Sequence, residues 1–171
     1  MLPKTLRNFN VIVDGRPLAG IAEELKLPDL ERKTEEYRAA GMLAPVSLDL
    51  GMEQLTLEFT LTEFNSDVLK AWGLTDSGGV NVRFMGAARA DDSNAGVDAI
   101  EISVRGRWKK IEQGNAKNSD MAKMKVQMPL VYYRYNLNGE TLIEIDVVNG
   151  KEVVGGVDRS ADVLKALGMA S

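Results

Sequence analysis

This sequence predicts a mainly β fold: a sandwich or open barrel of two packed antiparallel sheets, with one short internal helix and one short C-terminal helix. Three observations carry that prediction. Strict two-residue alternation recurs along the chain, tight glycine turns separate the alternating runs, and helical spacing is confined to two brief segments. Nothing marks an internal repeat or a linker, so residues 1–171 are expected to form one domain.

The elements follow in order. Val11-Ile-Val13 is a short strand, and Asp14-Gly15 is a hairpin signal, because a primed turn needs positive φ and glycine accepts it. Ala22 to Pro28 reads as a strand or a helical turn, and Glu31 to Arg38 as an exposed charged segment. From Ala39 to Met52 the chain is largely apolar, yet Gly41, Pro45 and Gly51 interrupt it and no single period spans it. A long apolar loop must be covered, either by its own core or by another subunit. Composition alone favours its own core.

Gln54 to Thr62 alternates cleanly. Leu55, Leu57, Phe59 and Leu61 point one way, and Gln54, Thr56, Glu58 and Thr60 the other, as in a half-buried strand. Ser66 is placed to cap a short helix carrying Val68, Leu69 and Trp72, with Trp72 as a core anchor and Gly73 as the stop. Val80 to Phe84 and Ile100 to Trp108 alternate as further strands, with a polar loop from Ala87 to Gly96 between them and another from Glu112 to Asp120. Met124 to Leu137 is the third long strand. From Met128 onward both of its faces are apolar or aromatic, which implies cover on both sides, and Pro129 implies an edge or a bulge. Asn138-Gly139 is the strongest hairpin turn. Leu142 to Val148, an Asn149-Gly150 turn and Lys151 to Val154 follow, and Ser160 is placed to cap the terminal helix.

The 171 residues are 44% hydrophobic and 27% charged, so the chain can bury a sizeable core. Its net charge of −4 does not suit a protein that grips phosphates. Between Arg105 and Lys125 the balance is +5, which leaves −9 on the remainder. A solvated strand pair and loop accounts for that segment more simply than a dock for an acidic partner. No apolar run reaches the ~20 residues of a membrane helix, and the first ten residues have no apolar core, so neither an anchor nor a signal peptide is expected.

The chain has no cysteine and no histidine. Disulfides, thiolate nucleophiles, Ser-His-Asp triads and His- or Cys-bound zinc are therefore excluded, along with the commonest general base at neutral pH. Glu58 and Glu101 sit on the wet faces of two strands, but any such sheet offers carboxylate pairs, and two solvated side chains explain them better than a hydrolytic site. Asp91, Asp92 and Ser93 lack the spacing and distal glutamate of a calcium loop. Tyr132, Tyr133 and Tyr135 have only Arg134 interleaved among them, and the acidic balance of the chain argues against a base-stacking platform. The residues read as a structural or interaction protein, with no enzyme activity and no cofactor expected.

An ordered set of motifs then suggests a family. It comprises Met1-Leu-Pro-Lys-Thr-Leu-Arg-Asn-Phe-Asn10, Leu27-Pro-Asp-Leu30, Lys33-Thr-Glu-Glu-Tyr-Arg-Ala-Ala-Gly-Met42, Ala44-Pro-Val46, Tyr132-Tyr133 before the Asn-Gly turn, Glu144-Ile-Asp146 with Asn149-Gly150, and Gly156-Val-Asp158. Together these resemble the FII-type major tail tube proteins of contractile-tailed phages and R-type pyocins. Ala40 departs from the glycine more usual there.

The resemblance implies a single tail-tube (Hcp-like) domain that forms hexameric rings stacked into a hollow tube. It implies a tail sheath, a baseplate or initiator and a tape-measure protein as partners, DNA passing through unbound, assembly in the bacterial cytoplasm and residence in the virion tail. It also reverses the preference for the apolar loop. Tyr37, Met42, Leu43, Pro45, Val46, Leu48 and Leu50 would reach a neighbouring subunit or ring. Gln54, Thr56, Glu58 and Thr60 would line the lumen, where acids repel phosphate, and Val131, Tyr133 and Tyr135 would contact another subunit. A type VI secretion ring, a pyocin-like particle and, more remotely, a carbohydrate-binding sandwich are the alternatives.

Overall fold

One strand belongs to both sheets. β10, Met124–Leu137, pairs through its first half with β6, Thr56–Leu61, and β9, Lys110–Glu112. Through its second half it pairs with β8, Asp98–Gly106, and β11, Glu140–Asp146. This computed structural model describes residues 2–92 and 96–169.

From β10 the larger sheet runs outward on one side through β11, β12 (Lys151–Val154) and β13 (Val157–Asp158). On the other side it runs through β8, β7 (Val80–Arg89), β1 (Thr5–Val13) and β2 (Arg16–Pro17). The smaller sheet has the order β3-β6-β10-β9, with β3 at Ala22–Lys26. Every pairing is antiparallel. A separate hairpin, β4 (Arg32–Tyr37) with β5 (Val46–Met52), pairs only with itself among the described residues. The two helices are short: α1 is Ser66–Lys70 and α2 is Ala161–Ala166.

The sheets meet across one apolar core. Leu57, Phe59 and Leu61 of β6 and Met124, Val126 and Met128 of β10 face Val82, Ile102, Val104 and Tyr133 of the larger sheet. Each such side chain contributes about 1.5–3 kcal/mol through burial. Phe59 meets Trp108 edge to face at 5.6 Å, and the Trp108 indole N–H donates to the Val68 carbonyl at 3.0 Å. That bond fixes α1 to the core, which a helix this short requires.

Pro129 marks the hand-over between sheets. Its last rung is with Thr56, and the register against β8 shifts between Leu130 and Tyr132. The bulge flips the phase of β10, so even-numbered residues through Leu130 face the core and then Tyr133 does. This explains the two apolar faces. They are one buried face carried across a bulge, and the missing N–H falls where no ladder bond is needed.

Several local expectations change. Ala22 to Lys26 is a strand, and the charged segment before the apolar loop is strand β4. The polar loop begins only after Arg89. Asn65, not Ser66, caps α1: its Oδ1 accepts from Asp67 N at 3.0 Å and Val68 N at 3.1 Å. Trp72 is 56% exposed and anchors nothing in this chain. Ser160 stands at the start of α2 without a side-chain capping bond, because its hydroxyl donates to Asp158 and accepts from Glu152 N. The Asp14-Gly15 and Asn138-Gly139 turns hold, with positive φ at all four residues. The strand before Asn149-Gly150 ends at Asp146, so that turn is wider than the pair alone.

Candidate assembly surfaces

Only the first half of the apolar segment is a loop; the second half is strand β5. From Val46 it alternates: Val46, Leu48 and Leu50 fall on one face of β5, and Ser47 and Asp49 on the other. Tyr37 is directly opposite Val46 and extends the apolar stripe onto β4. Gly41, with φ +88°, turns the tip, where the Ala39 carbonyl accepts from Met42 N at 3.2 Å. Arg32 fixes the base through ion pairs to Asp49 and to Glu152 on β12.

The own-core expectation fails here. Leu43 is 99% exposed, and Tyr37, Pro45, Val46, Leu48 and Leu50 are also exposed, with only Met42 half-covered. An apolar hairpin face of this extent in water calls for a partner.

The wet face of the β3-β6-β10-β9 sheet carries the second set. Gln54 is exposed and precedes the strand, and Thr56, Glu58 and Thr60 alternate on its polar face. Rows cross the sheet level: Glu24, Thr60, Lys125, Glu112 in one, and Lys26, Glu58, Gln127, Lys110 in the next. The expected acidic face is therefore mixed, because Lys26, Lys110 and Lys125 share it with Glu24, Glu58 and Glu112. Gln127 donates to Glu58 at 2.7 Å, and Lys125 lies 3.7 Å from it. Lys110 pairs with Glu112 at 2.7 Å, which raises the lysine's pKa and holds the carboxyl below the usual carboxylate range. Of the basic run read from the sequence, Lys110 and Lys125 belong to this face; Arg105 stacks on Tyr132, Arg107 donates to the Leu74 and Thr75 carbonyls, Lys117 pairs with Asp120 and Lys123 with Glu23. Acidity gathers at the Gln54 end, where Asp29 and Glu31 join Thr56 around a shallow recess.

The third set divides. Val131 and Tyr135 are half-buried, with Tyr135 packed against the margin of the core, but Tyr133 is 4% exposed inside the chain's own core, which withdraws it as a contact. Burial pushes its phenol up to about 12. Tyr132 lies under the Arg105 guanidinium at 4.4 Å on the outer face of the larger sheet, a pairing the linear sequence did not signal.

No catalytic constellation gathers among the described residues. Glu58 and Glu101 lie on different sheets, and Glu101 pairs with Arg83 at 2.7 Å. Asp91 pairs with Arg7, Asp92 accepts from the Leu2 backbone, and Ser93 lies outside the described residues. No group of three acids is placed to hold a metal among the described residues.

An all-antiparallel sandwich with one wet sheet, two open sheet edges and a projecting apolar hairpin is built to assemble. The profile of the family "Phage tail tube protein FII" matches residues 3–168. The chain belongs to this family. The tail tube protein of Escherichia phage P2 is 36% identical over 173 residues, which span 98% of this chain and 99% of that one. The major tail tube protein of Serratia phage KSP20 is 30% identical over 148 residues, 86% of this chain and 85% of the relative. In fold, the chain resembles one from the extended sheath/tube terminator of an extracellular contractile injection system. There the TM-score is 0.59 at 11% identity, over 80% of this chain and 98% of that one. This tail tube protein is thus a structural component of the virion tail and not an enzyme.

Proposed function

We propose that this single tail-tube domain forms hexameric rings in which the four-stranded sheets join edge to edge into one closed barrel. The observation that carries the reading is the sheet β3-β6-β10-β9 itself, with one dry face, one wet face and, among the described residues, an edge strand with a single neighbour at each end. Closing it through neighbours removes both edges. Four strands per copy at ~4.8 Å spacing give a hexameric wall on the order of 40 Å across, wide enough for a DNA duplex.

The wet face then lines the lumen. Two of its lysines, Lys110 and Lys125, are already paired with glutamates, so they have little counterion release to offer a passing phosphate. DNA is conducted during ejection and not held. The β4–β5 hairpin reaches the next subunit or ring, and Val131 and Tyr135 contribute to a subunit contact. A contractile sheath surrounds the tube, a baseplate initiator starts it, a tape-measure protein sets its length, and assembly proceeds in the bacterial cytoplasm. The family match favours a phage tail over a type VI secretion ring.

Negative-stain electron microscopy across a concentration series, with and without baseplate seeds, tests this reading. Six-fold rings or hollow tubes are the expected result. A protein that stays monomeric under every condition would overturn it.

A further inference from the structure

The ring reading leaves open how one copy's β9 meets the next copy's β3, and resting on that reading we infer that the two edges pair with a two-residue stagger that sets Lys26 opposite Glu112 and Leu27 opposite Ile111. Within the chain the order β3-β6-β10-β9 is antiparallel at every step, so β9 runs opposite to β3 and the junction continues the pattern.

Four registers compete. An odd offset turns wet side chains toward the core, so it is excluded by the two-residue period. The level register sets Glu24 against Glu112 and Lys26 against Lys110, since each pair shares a row. Like charges directly opposite are destabilising, and a barrel closed through level rows would have no stagger, which closure requires. A two-residue offset in one sense sets Glu24 against Lys110, but on the dry face it sets Leu25 against Lys109. The same offset in the other sense pairs opposite charges at Lys26 and brings no charge to the dry face: Leu25 meets the uncharged Gln113 just past β9, and Lys110 falls against Pro28 beyond the end of β3. Lys26 meets Glu112 on the wet side, and Leu27 meets Ile111 on the dry side, where both already pack at the margin of the core. Glu112 then lies between Lys110 of its own strand and Lys26 of the neighbour.

The absence of cysteine makes the register directly readable. Directly opposed residues have Cα atoms about 4.5–5.5 Å apart, within disulfide reach, while a two-residue error lies outside it. Three double variants are assembled, oxidised and run on a non-reducing denaturing gel: Lys26→Cys with Glu112→Cys, Glu24→Cys with Glu112→Cys, and Glu24→Cys with Lys110→Cys. The expected result is a ladder up to a covalent ring from the first pair alone. A ladder from either other pair overturns the register while the edge junction stands. No ladder from any pair, in tubes visible by microscopy, overturns the edge junction. Wild-type protein that never forms rings overturns the ring reading instead. Where cysteine substitution stops assembly, charge exchange reads the same contact. Lys26→Glu raises the concentration needed for tubes by on the order of tenfold, and adding Glu112→Lys restores it. Failure of the second change to restore assembly overturns the pairing.

Discussion

Gly106 and Pro129 stand so close that a Cβ built on Gly106 would lie 2.2 Å from the Pro129 carbonyl oxygen. The obstacle is backbone and cannot rotate away. It sits where β10 changes partners from β6 to β8. Gly106→Ala should therefore destabilise the fold by about 2 kcal/mol or more, read as a lowered urea midpoint, because the two sheets must part to admit the methyl group. An unchanged midpoint would mean that the junction is looser than this geometry.

The two tryptophans should behave oppositely. Trp108 is 5% exposed and hydrogen-bonded to Val68, so Trp108→Ala should cost about 3–5 kcal/mol. Trp72→Ala should change monomer stability by about 0.5 kcal/mol or less. Denaturant titration of both variants, with fluorescence of the remaining tryptophan, checks the contrast.

Leu48→Asp should leave the monomer folded and stop tube growth. Leu48 is 45% exposed and rests on no core in its own chain, so its loss is felt only at a partner. Circular dichroism and sedimentation separate the two effects. An unfolded monomer would restore the own-core reading of this segment.

Tyr133→Phe should remove an alkaline weakness. The buried phenol has its pKa raised from 10.0 to about 12, so the folded state holds the proton more tightly than the unfolded chain. That contribution is complete below pH ~10 and is lost as pH rises through about 12, with a size on the order of 2 kcal/mol. Thermal melts from pH 8 to 12 should fall less steeply for the variant. Parallel curves would place the tyrosine hydroxyl in water.

The strands with one wet face were legible in the sequence, because alternation is imposed locally by the pleat. Leu55 to Leu61 and the Asn138-Gly139 turn are examples. What escaped was set by partners remote in the chain. β5 alternates from Val46 to Met52, but the irregular tip from Ala39 to Pro45 masked the period. The double-sided apolarity of β10 came from a bulge that only pairing with β8 reveals. β9, three residues long, was submerged in a basic run, and its Lys110-Ile111-Glu112 alternation was the one available signal. Trp72 was read as core because it is large, although the protein leaves it exposed. Among the candidate surface residues, Thr56, Glu58 and Thr60 were legible as one face of one strand, with Gln54 just before it, but the charge of that face was not, because Lys110, Lys125 and Lys26 belong to other strands.

The fourteen residues of β10 have a mechanical corollary. The smaller and larger sheets share this one strand, so sliding one sheet over the other would have to distort β10 and its ladders on both sides. In the ring proposed above, such a subunit would carry a sudden axial thrust through main chain, and the bore would stay open because inner and outer walls would deform together.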